Sequence, residues 1–289
     1  MENTLAISAI STPTQFIETS TGKIAYRTLG SGQPIVLFNR FRGILDSWDP
    51  AFLDGLAGYY TVVTFDYPGI GRSEGSLPTD ARSLVTAVKS FTDALGLQQF
   101  ILGGWSYGGI MAQTFAANYP EQVSSLIVIG SNPLGSNAVP PEQIFFDTAL
   151  KPVNDFEDEL ILFFEPASDV SKAAAKASHD RIAARKEDVD IPVTPEVFPL
   201  YFKGGADARA DNDKNREKLF TTNIPILSLN GDHDTSFPVE NWFPLVRQSK
   251  TMQLIILPQT GHAPQHQYPE LCVDYIRAFI ERRESYQNC

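Results

Sequence analysis

Short apolar runs alternate along this chain with segments of helical periodicity. The runs at 16–19 and 23–28 flank Thr21-Gly22 and predict a β-hairpin. The later runs are apolar on both faces, which is typical of strands in a sheet that helices cover on both sides. These predicted strands are 34–39, 61–65, 100–103, 123–129, 224–230 and 252–257.

Between the strands, apolar residues recur at i, i+3 and i+4, the spacing of one helix face. The predicted helices are 48–56, 81–95, 107–119, 240–248 and 269–283. Strands that alternate with helices in this way form a mostly parallel sheet flanked by helices. The pattern therefore predicts an α/β fold.

The alternation of strands and helices stops in the segment 134–223, where sequence with a helical pattern, rich in Ala, Phe and acidic residues, replaces the strands. We predict that this segment is a helical cap, or lid, inserted into a core domain formed by 1–133 and 224–289, with 191–195 as a turn between cap helices. Several of its aromatic residues should line an apolar pocket. The candidates are Phe145, Phe146, Phe163, Phe164, Phe198, Tyr201 and Phe202.

Composition and net charge limit the classes of molecule that this protein is expected to bind. The 289 residues have a net charge of −11, so nucleic acid and anionic membrane surfaces are poor partners. The two cysteines, Cys272 and Cys289, cannot form a disulfide framework, and the N-terminal segment lacks the features of a signal peptide. We expect a cytoplasmic protein that acts on a small molecule, with monomer and homodimer both open.

The motif G-x-S-x-G occurs twice, and its context separates the two copies. Gly104-Trp105-Ser106-Tyr107-Gly108 follows a predicted strand and opens a predicted helix, the context in which such a serine is an exposed nucleophile. The copy at 71–75 has neither neighbour and is interpreted as a loop. Ser106 is therefore the candidate nucleophile.

A serine hydroxyl needs a base, and the base needs a carboxylate that orients it. His262 follows the last predicted strand, at the sheet edge where functional groups of α/β folds gather, and is preferred over His179, His233 and His266. Asp234 follows the strand 224–230 and is the candidate acid, with Asp232 in reserve.

With Ser106, Asp234 and His262 in that order, the sequence resembles the α/β-hydrolase superfamily over nearly all of the chain outside the cap. The segment 66–73 is similar to the D-x-x-G-x-G-x-S loop of that family. The resemblance implies the α/β-hydrolase fold. Within that superfamily, a serine at the strand-to-helix turn makes this chain resemble the esterases, lactonases, carbon–carbon bond hydrolases and cofactor-free haloperoxidases.

The segment after strand 34–39 departs from the family pattern, because Asn39-Arg40 replaces the usual His-Gly. Aligning Asn39 with that histidine makes the N–H groups of Phe41 and Tyr107 the predicted oxyanion hole, each worth about 3 to 4 kcal/mol in the transition state.

Three further side chains are candidates for substrate binding. Arg40 and Arg42 are suited to binding a substrate carboxylate or carbonyl, although solvated or cap-paired arginines are the alternative. Trp105 is expected in the core or in the pocket wall.

The leading hypothesis is a serine hydrolase that cleaves an ester or a lactone of a small, largely apolar substrate through an acyl-enzyme. Two alternatives stay open: a carbon–carbon bond hydrolase that uses the same triad on a diketone-type substrate, and a ligand receptor of the same fold with little turnover. The sequence contains no metal-binding or nucleotide-binding motif, so we expect no cofactor and no metal.

Overall fold

The computed structural model of the protein describes residues 8–282. Within that range, eight strands form one sheet in the order β1-β2-β4-β3-β5-β6-β7-β8. β1 and β2 are antiparallel to their neighbours, and all the other pairs are parallel. The strands are β1 (Gln15–Thr19), β2 (Gly22–Gly30), β3 (Pro34–Phe38), β4 (Thr61–Phe65), β5 (Phe100–Trp105), β6 (Val123–Ile129), β7 (Ile226–Gly231) and β8 (Met252–Leu257).

Helices cover both faces of this sheet. Alternate residues of β3 show why. Val36 joins one buried cluster with the helices Ala81–Ala94 and Tyr107–Asn118, while Ile35 and Leu37 join the opposite cluster with the helices Pro50–Ala57 and Pro269–Glu281. This confirms the predicted α/β fold. The helices are α1 (Pro50–Ala57), α2 (Ala81–Ala94), α3 (Tyr107–Asn118), α4 (Gln143–Ala149), α5 (Phe156–Phe163), α6 (Asp169–Ile182), α7 (Phe198–Ala210), α8 (Asn215–Thr221), α9 (Pro264–Gln267) and α10 (Pro269–Glu281).

The segment between β6 and β7 contains α4 to α8 and, within the described residues, no strand. This is the arrangement expected of a cap, although the bounds 134–223 remain a prediction. Arg181 of α6 ties this segment to the core, since its Nε and Nη2 atoms donate to the two carboxylate oxygens of buried Asp49 at 2.8 and 2.6 Å.

One predicted element differs in type. Residues Val239–Leu245 form a 3-10 helix instead of the α-helix predicted over 240–248. Pro244 lies inside this segment and has no N–H to donate to an α-helical ladder. Cys289, the residues before 8 and the end of the helix predicted to reach 283 lie outside the described residues.

Candidate active site

Ser106 lies at the sharp turn between β5 and α3. Its backbone has φ 63° and ψ −123°, outside the regions that side-chain-bearing residues favour. The glycines of the motif make the turn possible: a Cβ atom on Gly104 would lie 2.2 Å from Gly108 O, and one on Gly108 would lie 2.1 Å from Phe38 O. The structure thus places Ser106 in a strand–turn–helix, as the motif predicts.

The second G-x-S-x-G copy has a structural explanation. The Ser73 hydroxyl donates to Asp66 O at 3.0 Å and accepts from the N–H of Ala25 at 2.9 Å. It therefore joins the loop after β4 to strand β2 and is not free to attack a substrate.

His262 and Asp234 meet at the carboxyl edge of the sheet. The His262 Nδ1 atom is 2.8 Å from Asp234 Oδ2, and both side chains are buried. The other carboxylate oxygen, Asp234 Oδ1, accepts from the N–H and the hydroxyl of Ser236, both at 2.9 Å, and from the N–H of Phe237 at 2.8 Å. The carboxylate is thereby held in one orientation and can fix the imidazole tautomer.

Ser106 and His262 line the same small cavity. Within residues 8–282 no hydrogen bond joins the two side chains, which is common for catalytic pairs in the absence of substrate. The structure brings Asp234 and His262 into direct contact and Ser106 to the same cavity wall.

The remaining histidines have other partners. His179 pairs with Glu159 on the cap, and the Asp232 carboxylate, 2.6 Å from Nδ1 of His233, raises the pKa of that histidine. His266 is buried against the Trp105 ring, and this burial lowers its pKa to about 4. The Asp232 carboxylate thus contacts the His233 ring, whereas the His262 ring contacts Asp234.

The two predicted oxyanion donors border the cavity at Ser106. Phe41 and Tyr107 both line it together with the serine, and Tyr107 is the first residue of α3. Their N–H groups find no protein acceptor within the described part of the chain. Helix N-terminal N–H groups are natural ligands for a developing negative charge.

Arg40 extends along the small cavity that Ser106 and His262 also line. Its guanidinium lies over the rings of Trp105 and Phe163, at 5.3 and 4.6 Å. Burial, followed by the positive charge of Arg42, lowers the pKa of Arg40 to about 10. Across 8–282 no carboxylate pairs with it, and its buried Nε lacks a hydrogen-bond partner.

Arg42 has a different environment. Its guanidinium donates to the backbone oxygens of Ala149, Lys151 and Pro152 at 2.8 to 3.0 Å and lies 4.5 Å from the ring centre of Phe198. These contacts attach the loop after β3 to the cap segment. Arg42 is thus paired with the cap segment, which is one of the alternatives that the sequence left open. Its role as a substrate ligand remains a prediction.

Trp105, directly before Ser106, is almost completely buried and is not among the residues that line the two cavities at Ser106, so it belongs to the core and its role in substrate binding remains a prediction. Its Nε1–H donates to the backbone oxygen of His262 at 2.8 Å. It also contacts His266 and Phe163. Trp105 therefore positions the loop that carries His262.

A large, mostly apolar cavity of about 240 Å³ opens above Ser106. Its walls come from α3, from α7 and from the start of the cap segment, and include Ile110, Leu134, Phe145, Phe146, Tyr201 and Phe237. Phe202 and Arg209 line the outer part and are exposed to solvent. Some of the predicted cap aromatics thus line the pocket, whereas Phe164 and Phe198 are buried against core residues: Phe164 lies close to Gly261, and Phe198 packs on the Phe41 ring.

Comparison with known proteins identifies the family. A family model described as the alpha/beta hydrolase fold matches residues 33–269. The chain belongs to the α/β hydrolase family. In the part of this α/β hydrolase that the structure describes, no helix is long and apolar enough to cross a membrane, and no group of three or more His, Cys, Asp or Glu side chains is arranged to hold a metal ion.

Relatives of this α/β hydrolase act in more than one reaction. A pimeloyl-[acyl-carrier protein] methyl ester esterase of Vibrio campbellii is 26% identical over 83% of this chain and 91% of its own length. A 2-hydroxy-6-oxononadienedioate/2-hydroxy-6-oxononatrienedioate hydrolase of Paraburkholderia phymatum is 25% identical over 73% of each chain. An alpha/beta hydrolase fold protein from Chitinophaga pinensis superposes with a TM-score of 0.84 at 26% identity, over 95% of this chain and 99% of the other.

Ser236 is a residue of the site that the sequence analysis missed. It supplies two of the three hydrogen bonds that hold Asp234 Oδ1. The signal was present, because an Asp followed two residues later by a Ser is typical of a turn in which the carboxylate accepts local N–H groups.

Proposed function

We propose that the protein is a serine hydrolase that cleaves an ester or a lactone of a small, largely apolar substrate. The observation that carries the proposal is the position of Ser106, at a strained turn on the floor of a mostly apolar cavity that is large enough for such a substrate. His262, which contacts Asp234, borders the small cavity beside it.

The geometry supports an acyl-enzyme mechanism. Ser106 Oγ attacks the substrate carbonyl while His262 Nε2 takes its proton, and Asp234 stabilises the resulting imidazolium through Nδ1–H. The N–H groups of Phe41 and Tyr107 hold the oxyanion of the tetrahedral intermediate. His262 then donates the proton to the leaving oxygen, and an activated water releases the acid from Ser106.

A test combines labelling with turnover. A fluorophosphonate probe should modify the protein once, at Ser106, and Ser106→Ala should abolish both labelling and ester hydrolysis while the thermal unfolding midpoint stays near that of the wild type. Ser73→Ala is the matched control, because it removes the serine of the other motif. Full hydrolysis by Ser106→Ala, or labelling elsewhere, would refute the assignment.

Arg40 favours a second candidate, hydrolysis of a carbon–carbon bond in a diketone-type substrate that also carries a carboxylate. Its charged and partly desolvated guanidinium borders the small cavity at Ser106 and has no protein carboxylate as partner in the described range. The relative from Paraburkholderia phymatum is named for dioate substrates.

A panel of simple esters, lactones and carboxylated diketones separates the two candidates. Arg40→Met should raise KM only for the carboxylated compounds if Arg40 binds the carboxylate. Equal effects of Arg40→Met on neutral esters and on carboxylated compounds would limit Arg40 to packing. Ligand binding without multiple turnovers on the whole panel would favour the receptor alternative.

A further inference from the structure

Two carboxyl groups meet where the cap segment contacts the core, outside the proposed triad. Asp66 follows β4, and Asp190 lies between α6 and α7. The N–H of Leu45 donates to both of them, to Asp66 Oδ1 at 2.9 Å and to Asp190 Oδ2 at 3.0 Å. A Cβ atom on Gly71 would come within 2.3 Å of Asp66 Oδ2 and 2.8 Å of Asp190 Oδ1, so the remaining two oxygens approach the same point.

The pair is buried, with Asp66 at 0% and Asp190 at 4% exposure. Asp66 Oδ2 receives no side-chain hydrogen bond within the described residues unless a proton lies between it and Asp190, and the backbone N–H groups of Arg72 and Leu45 are the contacts that favour the charged form of Asp66. Two ionised carboxylates in contact repel each other, whereas two carboxyls that share one proton form a hydrogen bond. Burial, together with the Asp190 carboxylate, raises the pKa of Asp66 well above its usual range.

Charged groups surround the pair on several sides. The N–H of Asp190 donates to Asp46 Oδ2 at 2.7 Å. Asp46 pairs with Arg27 and lies 3.4 Å from Arg185, and Arg72 pairs with Asp188. After burial and the Tyr107 side chain, the charge of Asp66 contributes to raising the pKa of Tyr201. The arginines and the tyrosine do not change charge near neutral pH. Although burial acts in the opposite direction, hydrogen bonds from Thr14 and Arg72 lower the pKa of Asp188 to about 2.

The loop that the pair holds, residues 39–45, carries the proposed oxyanion donor. At its start, Asn39 donates to Phe65 O at 2.8 Å and accepts from Trp48 Nε1 at 2.6 Å. At its end, the N–H of Leu45 is held by the two carboxyls. The amide of Phe41 lies between these two fixed points.

We propose that Asp66 and Asp190 are positioning residues: they share one proton, hold the N–H of Leu45 between them, and fix loop 39–45 only when the segment around Asp190 is seated on the core. The proposal rests on the proposed function, because the loop position matters for turnover only if Phe41 binds the oxyanion. Sharing of the proton itself is testable without any activity.

The first experiment measures stability against pH. The folded protein holds a proton on this pair that the unfolded chain releases above its ordinary carboxyl pKa, so the pair's contribution to stability falls as pH rises from about 4 through the raised pKa of Asp66. In Asp190→Asn burial still raises the pKa of Asp66, but the repulsion from Asp190 is gone and the amide donates to the carboxylate, so no shared proton is needed. The unfolding equilibrium constant of the wild type, relative to that of Asp190→Asn, should therefore grow by up to about tenfold per pH unit in that window.

The matched control is Asp180→Asn, which removes one carboxylate from the exposed face of α6, where Asp180 pairs with Lys176. Its difference from the wild type should not vary in the same way. If Asp190→Asn fails to fold, Asp66→Asn tests the same point, because it also replaces the shared proton by an amide. A constant difference in stability between wild type and variant from about pH 5 to about pH 9 overturns the proposal.

The second experiment tests positioning in an active preparation. Asp190→Ala removes one acceptor of the Leu45 N–H and should lower kcat by about tenfold to a hundredfold with little change in KM, since a misplaced oxyanion donor weakens transition-state binding alone. Asp190→Asn should restore most of kcat. A normal kcat in Asp190→Ala refutes the positioning role, whereas an inactive wild type with the expected stability profile refutes the proposed function instead.

Discussion

Arg42 provides a quantitative test of how the cap is held. Its guanidinium donates three hydrogen bonds to backbone oxygens of residues 149–152 and covers the Phe198 ring. Its backbone has φ 59°, in the left-handed region. Arg42→Ala removes the contacts and keeps the unfavourable backbone conformation, while Arg42→Gly removes the contacts and relieves it.

The expected magnitude follows from these contacts. A hydrogen bond from a charged group contributes about 1.5–3 kcal/mol to stability. Two of the three hydrogen bonds of Arg42 are exposed to solvent, which weakens them, and partial burial of the guanidinium has a desolvation cost that offsets part of their contribution. The stacking on Phe198 adds about 0.5–1 kcal/mol. We expect Arg42→Ala to lose about 2 kcal/mol of stability, and Arg42→Gly to lose about 1 kcal/mol less than that, since a left-handed residue with a Cβ costs roughly 1–2 kcal/mol.

Urea denaturation measures both values, and hydrogen exchange of residues 143–156 shows whether the loss is local to the cap. Exchange there should accelerate in both variants, whereas exchange in β5 and β6 should not. Arg42→Lys is the control that keeps the charge without the planar fork. A loss below about 0.5 kcal/mol in Arg42→Ala, the level of an ordinary surface substitution, together with unchanged exchange, would show that Arg42 does not hold the cap.

Three further outcomes follow from buried contacts. Asp234→Asn should lower kcat by about 10⁴ without loss of fold, because the amide stabilises the wrong imidazole tautomer; ester hydrolysis and circular dichroism together test this. Arg181→Met should cost about 3–5 kcal/mol by leaving buried Asp49 unpaired, and equilibrium unfolding at neutral pH that shows no loss would contradict it. Gly108→Ala places a methyl 2.1 Å from Phe38 O, so fluorophosphonate labelling should fail even where some folded protein is recovered.

Much of the fold could be predicted because the hydrophobic period that indicates a strand or a helix is visible within the residues of that element alone. The run 123–129 coincides with β6, and 61–65 coincides with β4. The error at 240–248 has a local cause, Pro244, that periodicity ignores. The order of the strands across the sheet depends on long-range pairing, and only the structure gives it.

In the candidate site, too, features set by local sequence could be predicted and those set by long-range contacts could not. Ser106 and the Asp234–His262 contact could be predicted because motif and strand context fix where these side chains emerge. The separate surroundings of Arg40 and Arg42 could not, since two positions in one loop point to different neighbours only after the cap has folded. The contact of Asp66 with Asp190 joins residues far apart in sequence, and no local pattern indicates it.

The outer wall of the large cavity, formed by exposed Phe202 and Arg209, has a practical consequence. A bound molecule need not be fully enclosed, so its distal end emerges into water beside a cationic side chain. Under the proposed function, acyl groups tethered to a dye, a bead or a carrier through an acidic linker are suitable screening reagents, with the attachment point placed at the end farthest from the scissile bond.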